Sequence, residues 1–247
     1  MDPRLIQLSY SPFEKIAVPR PVHRLAYVGA NSLGRRVLDL GAYDETEISK
    51  YHHPSWRWLH AEIAAKASAI LGVDSSDVVR TKGSVQTAIG TRISYGDVHD
   101  LSAIVQDFKP DLVVAGELIE HTENALGWLR DLGNLLPSTE LILTTPNSTS
   151  IINLFLALLN RENCHQDHLN IYSFKTLTTL ARRLHLETLQ IIPYYYDSHI
   201  LKGRFTETVA PLIDLTNFCC LRPMQYLFPM TAFGWILHGR FSKARPK

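Results

Sequence analysis

The chain has 247 residues, of which 45% are apolar and 20% charged. This is the composition of an ordinary soluble globular protein, and it excludes a disordered, collagen-like or coiled-coil chain. Because 25 Lys and Arg nearly balance 24 Asp and Glu, the net charge is +1 and no overall field attracts nucleic acid. Three cysteines without a CxxC pair predict neither a disulfide framework nor structural zinc, and favour the cytoplasm.

The hydrophobic pattern predicts strands that alternate with helices along most of the chain. A proline-rich arm and a short helix come first. Strands are then predicted at residues 36–41, 69–74, 92–97, 111–116, 140–145, 186–195 and 233–241. Helices are predicted at residues 23–31, 56–69, 125–136 and 151–159, with another beginning at Ser173. This alternation indicates an α/β fold with a mainly parallel, Rossmann-like sheet and helices on both faces. No apolar run reaches ~18 residues, so no membrane span is predicted.

Polar and turn-forming residues follow the predicted strands. Since ligands of parallel sheets bind at the carboxyl ends of the strands, these residues are the candidates for a site. The candidates are residues 39–45, Asp74, Asp97, residues 117–121, which include Glu117, Glu120 and His121, and residues 146–148.

The order and spacing of five short motifs resemble those of the class I S-adenosylmethionine-dependent methyltransferases. The motifs are Val37-Leu-Asp-Leu-Gly41, Gly72-Val-Asp74, Gly96-Asp97, Asp111 to His121 and Leu143-Thr-Thr-Pro-Asn147. Asp167-His168, which precedes Tyr172-Ser173, matches as well. The chain looks most like the ubiquinone-biosynthesis-type methyltransferase domain of glycan and natural-product pathways. The resemblance covers roughly residues 23 to 241 and implies a seven-stranded sheet whose last strand is antiparallel.

The resemblance also implies how one domain, residues 1–247, is divided. Residues 1–34 would form an N-terminal arm and helix, and residues 35–147 the cofactor-binding half. Residues 148–247 would form the acceptor-side half and the last strands. We find no linker that separates two domains.

The resemblance implies S-adenosylmethionine as cofactor and a binding role for seven residues: Asp39, Gly41, Tyr43, Asp74, Asp97, Val98 and Glu117. Gly41 permits close backbone approach, and Asp74 at a strand end suits a ribose diol. Asp97 is assigned to the adenine amine, and Asp39 to orienting the loop or the ligand's ammonium group. Structural alternatives remain open: a simple turn at Asp39, a helix cap at Asp74, a loop acid at Asp97, or helix capping by residues 117–121.

The first loop reads Asp39-Leu-Gly41-Ala-Tyr43-Asp-Glu45, where the family usually has three glycines. An insertion around residues 46–55 accounts for the long spacing to Asp74. The lost glycines, together with Glu45, motivate one alternative function, a non-catalytic scaffold or subunit with this fold.

Three histidines are predicted catalytic: His121, His165 and His168. Around Asp167, the last two histidines allow three interpretations: a general base, a divalent-metal site, or structural hydrogen bonds. We predict no metal from the sequence. Another histidine, His60, is expected to pack a helix against the sheet, as are Trp56 and Trp58.

The predicted function is methyl transfer to a small-molecule or sugar-like acceptor, and the atom that we expect to be methylated is a hydroxyl oxygen. A nicotinamide-dependent oxidoreductase is disfavoured because no GxGxxG follows the first strand, and an α/β-hydrolase because no GxSxG elbow exists. Tyr195 and its neighbours are candidate acceptor-pocket residues. Expected partners are the acceptor and a second copy of the chain, without nucleic acid. The apolar, then basic, segment 221–247 also allows peripheral membrane contact.

Overall fold

The computed structural model describes residues 8–53, 56–197 and 210–242. The strands are β1 (Arg36–Leu40), β2 (Ala69–Asp74), β3 (Ser84–Gln86), β4 (Arg92–Tyr95), β5 (Leu112–Gly116), β6 (Glu140–Pro146), β7 (Glu187–Tyr194) and β8 (Gly234–Arg240). The helices are α1 (Arg24–Asn31), α2 (Glu45–Ser49), α3 (Leu59–Ala64), α4 (Asp77–Lys82), α5 (Ser102–Phe108), α6 (Ala125–Leu135), α7 (Ile151–Leu158), α8 (Phe174–Arg183), α9 (Ala210–Thr216) and α10 (Arg222–Leu227). None of these helices is long and apolar enough to cross a membrane.

The strands form one sheet in the order β3-β4-β2-β1-β5-β6-β8-β7. The last strand, β8, runs antiparallel to β6 and β7, as predicted. The prediction of seven strands was wrong, because β3 pairs antiparallel with β4 as an eighth strand at the edge. This strand has three residues, too few to show an alternating pattern, and a tight turn between Thr87 and Thr91 joins it to β4.

The alternation of side chains along β1 decides which face each one meets. Leu38 and Leu40 pack in the core on one face, with Trp128 of α6 and Trp235 of β8. Val37 packs on the other face in a second core cluster that includes residues of α1 and α3. Because successive side chains point to opposite faces, Asp39 lies on the same side as α3.

The helix predicted over residues 56–69 is shorter in the structure. It is α3, and Trp58 occupies its N-terminal cap position. After the helix, the Ser68 N–H donates to the Arg35 carbonyl, so the chain is already aligned for β2.

A polar cluster around Glu140 lies where β1 and β6 begin, at the end of the sheet opposite the carboxyl ends of its parallel strands. It joins four parts of the chain. Arg35 donates from Nη2 to Oε2 of Glu140 at 2.9 Å, and His238 of β8 hydrogen-bonds Oε1. Tyr27 of α1 hydrogen-bonds the other ring nitrogen of His238 at 2.7 Å. Burial alone would raise the pKa of Glu140, but the hydrogen bonds from Arg35 and His238 lower it to about 2.

We predict that Glu140→Gln lowers the free energy of unfolding at pH 7 by about 1–2 kcal/mol, because it removes the paired charge. The folded-state pKa lies below the unfolded value of ~4.3, so this stabilisation is present above that pH and is lost as the pH falls towards 2. Urea unfolding at pH 7 and pH 2.5 should show the difference between variant and wild type shrinking in acid.

The matched control for this experiment is Glu123→Gln, since Glu123 is exposed. It should leave the stability unchanged at both pH values. An equal loss of stability in both variants would contradict the role assigned to the Glu140 cluster.

Candidate active site

A cleft of about 850 Å³ lies where β1, β2 and β5 end, at the carboxyl edge of the sheet. It brings together nine of the ten residues to which the sequence assigned a cofactor-binding or catalytic role: Asp39, Gly41, Tyr43, Asp74, Val98, Glu117, His121, His165 and His168. The tenth, Asp97, is exposed and does not line the cleft. Its carboxylate accepts a hydrogen bond from the His99 backbone N–H at 2.9 Å.

Asp39 is buried, with 2% of its surface exposed, and it begins a chain of polar contacts. Its Oδ2 accepts from Nδ1 of His60 on α3 at 2.8 Å, and Nε2 of His60 lies 2.9 Å from the Thr91 hydroxyl. A ring that donates from Nδ1 to the carboxylate can accept the threonine proton at Nε2. These contacts fasten α3 and the β3–β4 turn to the end of β1.

The loop after β1 is held by Asp74, the last residue of β2. Oδ2 of Asp74 accepts the Tyr43 backbone N–H at 2.9 Å, and Oδ1 accepts that of Ser76 at 2.8 Å. The helix cap proposed as an alternative for Asp74 is not formed, since α4 begins at Asp77 with Ser76 in its cap position. Gly41 has a φ of +71°, a left-handed conformation that disfavours other residues.

The insertion around residues 46–55 contains the short helix α2. Oδ1 of Asp44 accepts the Glu47 backbone N–H at 2.9 Å and so caps this helix. Glu45 stands in the first turn, exposed at the mouth of the cleft. Asp44 and Glu45 line the cleft, whereas residues 46–53, the described part of the insertion, do not.

Glu117, directly after β5, also has a left-handed backbone, with φ of +54°. Its Oε1 lies 3.3 Å from Nη1 of Arg24 and accepts a hydrogen bond from the Tyr194 hydroxyl. Burial and the Glu117 carboxylate raise the pKa of Tyr194 well above its usual value, so this tyrosine stays protonated as a donor. The capping alternative for residues 117–121 is wrong, because Asn124 caps α6.

The three predicted catalytic histidines lie together beside Glu117. The ring centroids of His121 and His168 are 4.7 Å apart, and His165 is about equally far from both, at 6.2 and 5.9 Å. Burial, helped by the neighbouring His121 and His165, lowers the pKa of His168. Burial and the Glu117 carboxylate raise the pKa of the adjacent Glu120 to about 8.

A second cavity, of about 810 Å³, adjoins the cleft and shares Arg24, Arg57, Trp58 and Glu117 with it. Aromatic side chains line much of this cavity: Trp56, Trp58, Tyr194, Tyr195, Tyr196 and Phe233. Tyr195, predicted as an acceptor-pocket residue, is therefore placed at a cavity next to the cleft.

Comparison with known proteins identifies the family. A family model described as a methyltransferase domain matches residues 13–191. The chain belongs to this methyltransferase-domain family. The family is S-adenosylmethionine-dependent. The antiparallel last strand of the sheet is the one that the resemblance to class I methyltransferases implied. No curated protein sequence matches the chain.

Solved structures with this fold have low sequence identity to this chain. The small RNA methyltransferase HEN1 is 14% identical with a TM-score of 0.54, and the alignment covers 96% of this chain and 28% of that one. Phosphoethanolamine N-methyltransferase 2 of Haemonchus contortus, in complex with S-adenosyl-L-methionine, is 11% identical with a TM-score of 0.50 over 90% and 52%. A SAM-dependent methyltransferase of Archaeoglobus fulgidus is 14% identical with a TM-score of 0.49 over 87% and 94%. At these identities, the likeness shows the fold alone.

Sequence reasoning missed two side chains that shape the site, Arg24 and His60, and gave Glu120, a strand-end candidate, no cofactor-binding or catalytic role. His60 was expected only to pack α3 on the sheet, yet it hydrogen-bonds Asp39. Glu120 had a local signal, its place one turn after Glu117, but its burial depends on distant segments. Arg24 carried no signal, because it comes from a helix that precedes β1 in sequence.

The left-handed backbone of Gly41 gives a test of the loop. We predict that Gly41→Ala costs about 1–2 kcal/mol of folding free energy, because an alanine is strained at this φ. The strained loop should also move away from Asp74 and weaken S-adenosylhomocysteine binding about tenfold, measured by calorimetry.

Gly34→Ala is the matched control. Gly34 has a φ of +70°, and an added Cβ meets nothing within 4 Å, so the backbone strain is alike. The control should lose similar stability in thermal unfolding but keep its ligand affinity. Equal weakening of binding in both variants would argue against a specific role for the Gly41 loop.

Proposed function

We propose that this protein transfers a methyl group from S-adenosylmethionine to a hydroxyl of a small-molecule or sugar-like acceptor, in the cytoplasm. We place it in the ubiquinone-biosynthesis-type branch associated with glycan and natural-product pathways. The observation that carries the proposal is the convergence of Asp39, Gly41, Asp74 and Glu117 on one cleft at the carboxyl edge of the sheet.

The cofactor would lie across the ends of β1 and β2. The second lone pairs of the Asp74 oxygens can accept the ribose hydroxyls, since each oxygen makes one backbone hydrogen bond. The backbone from Gly41 to Tyr43 would face the methionine part. Val98 would contact the adenine ring, and Asp97 next to it would accept from the adenine amine at the rim.

The acceptor would occupy the aromatic cavity. Rings of tryptophan and tyrosine offer flat apolar surface to a sugar or another ring, while Arg24 and Glu117 offer polar contacts where the two cavities meet. This arrangement brings an acceptor hydroxyl towards the cofactor from the Glu117 side.

The reaction requires that the acceptor oxygen be aligned with the methyl carbon and that the proton of the acceptor hydroxyl be removed. Bound S-adenosylmethionine would supply a methyl group on a sulfonium, which the acceptor oxygen would displace from a thioether that carries no charge on sulfur. The hydroxyl proton passes to the histidine group formed by His121, His165 and His168. Neutral imidazole is the form that accepts a proton, and the lowered pKa of His168 favours that form.

The test is calorimetric titration of S-adenosylhomocysteine into the wild type and into Asp74→Asn. Micromolar binding by the wild type, weakened at least tenfold by the substitution, is the expected result, because the amide loses the charge and one acceptor oxygen. Asp77→Asn is the control, since its carboxylate is 86% exposed and pairs with Arg80, one turn away on the same helix. Circular dichroism checks the folding of each protein.

The second candidate function is a scaffold or subunit of the same fold that lacks catalysis. It is favoured by Glu45 at the mouth of the cleft and by the two absent glycines. No binding of S-adenosylhomocysteine by well-folded wild type would support this candidate and contradict the enzymatic proposal. The family match weighs against the third candidate, a nicotinamide-dependent oxidoreductase.

We also propose that residues 221–247 contact the surface of a membrane. The other partner that we expect is a second copy of the chain, in a homodimer. Leu227 and Phe228 expose most of their surface, as does Phe218 just before the segment. Apolar side chains of this kind insert into the interface of a bilayer. The basic residues Lys243, Arg245 and Lys247 lie outside the described residues.

We predict that Leu227→Ser with Phe228→Ser abolishes sedimentation with vesicles containing anionic lipid, because it removes the exposed apolar contact. Neutral vesicles should bind the wild type less. Leu33→Ser is the control, an exposed leucine distant in sequence, at the end of the N-terminal helix. The surface would instead be a dimer interface if the wild type binds no vesicles and the double variant loses a dimer that the wild type forms, as measured by analytical ultracentrifugation.

A further inference from the structure

The structure assigns a divalent-cation site to Glu120, His121 and His168, within the cleft. One ligand atom of each residue lies within 4.8 Å of the other two. A carboxylate with two imidazoles suits divalent first-row ions. Because their bonds to nitrogen and oxygen are ~2.0–2.2 Å long, side-chain rotations of about 1 Å would close the donors around an ion.

The strongest sign of a missing ligand is the carboxylate of Glu120. The residue is 1% exposed. Its Oε2 accepts from the Thr145 hydroxyl at 3.0 Å, but its Oε1 is buried and makes no hydrogen bond within the part of the chain that the structure describes. A buried carboxylate oxygen without a partner is costly, and a bound cation would remove that cost.

The loop that carries His168 is fixed beside Glu120 by other groups. The backbone N–H groups of Leu169 and Asn170 donate to the Glu120 carbonyl at 2.8 and 3.1 Å. The Asn170 side chain donates to the Thr122 carbonyl at 2.7 Å. Anchoring the loop therefore uses neither the imidazole of His168 nor the carboxylate of Glu120. Both side chains remain available as ligands at a preformed position.

The charges around the cluster favour a cation. Glu117 lies on one side of the cluster. Its Oε1 pairs with Nη1 of Arg24 at 3.3 Å. On the open side, Asp167 lies 3.4 Å from His165, and both are exposed. The site thus combines two acidic neighbours with imidazoles that bind metals when neutral.

This inference rests on the proposed function and refines it, because the site lies in the cofactor cleft. A cation there would take the acceptor oxygen as a further ligand and make its hydroxyl more acidic, as metals do for bound water. The O–H bond breaks and its proton passes to the exposed His165 imidazole and on to solvent. The oxygen then forms its bond to the methyl carbon as the methyl–sulfur bond breaks, and the cation stays bound. His121 and His168 act as ligands, and His165 alone carries the proton.

The test is titration of chelator-treated, full-length protein with Mn²⁺, followed by the loss of the electron paramagnetic resonance signal of the free ion. We expect one bound Mn²⁺ per chain in the wild type and at least tenfold weaker binding in His168→Ala and in Glu120→Gln. His168 stands on a surface loop, so its variant should fold even where Glu120→Gln does not. His165→Ala is the matched control, in the same loop and outside the ligand set, and should bind Mn²⁺ as the wild type does.

Three results would overturn the cation site. They are no Mn²⁺ binding by folded wild type, unchanged binding in both ligand variants, or equal loss in His165→Ala. S-adenosylhomocysteine binding by the chelated protein separates this proposal from the proposed function. Cofactor binding without any Mn²⁺ binding would leave the methyltransferase proposal standing and remove only the cation.

Discussion

The parallel pairing of β1 with β2 and β5 is the constraint on which the site depends. Asp39 of β1 lies opposite Gly72 on one side and Val114 on the other, so the three strands end at nearly the same level. The strands are rich in buried Leu and Val, as expected of parallel strands covered on both faces. A shift of this register would carry Asp74 and Glu117 away from the loop that follows β1.

The acidic groups at the strand ends have structural roles before any ligand arrives. Asp39 is joined to His60, and Asp74 holds the backbone of Tyr43. The loop that would face the cofactor is therefore preorganised by carboxylates, which lowers the ordering cost of binding. The same contacts explain how a loop with one glycine keeps its shape: the left-handed turn at Gly41 is supported from β2 by hydrogen bonds to the carbonyl of Val73.

Most of the sheet could be predicted from the sequence because its strands are local apolar runs that end in turn residues. The strand β3 could not, since three residues carry no periodicity and form a strand only through β4. The nine cleft residues were predicted because each lies near a strand end or in a distinctive motif. That Glu120, His121 and His168 meet was not predictable, because their meeting depends on hydrogen bonds between the loop before Tyr172 and the turn after β5. The exposed position of Asp97 was not predictable either, because Asp97 lies in a loop whose path is not determined by a local sequence pattern.

The contact among Glu117, Arg24 and Tyr194 forms the boundary between the cleft and the aromatic cavity. An acceptor in the aromatic cavity must extend its reactive oxygen past this boundary to reach a methyl group in the cleft. The histidine group and Glu120 lie on the cleft side, beside Glu117, where that oxygen would emerge. Acceptor shape would thus be selected by aromatic surface on one side, and acidity of the hydroxyl controlled by imidazoles and carboxylate on the other. In the proposed mechanism the two tasks would be coupled at this boundary, because Arg24 of α1 and Tyr194 of β7 both contact the Glu117 carboxylate, which adds to burial in raising the pKa of Glu120.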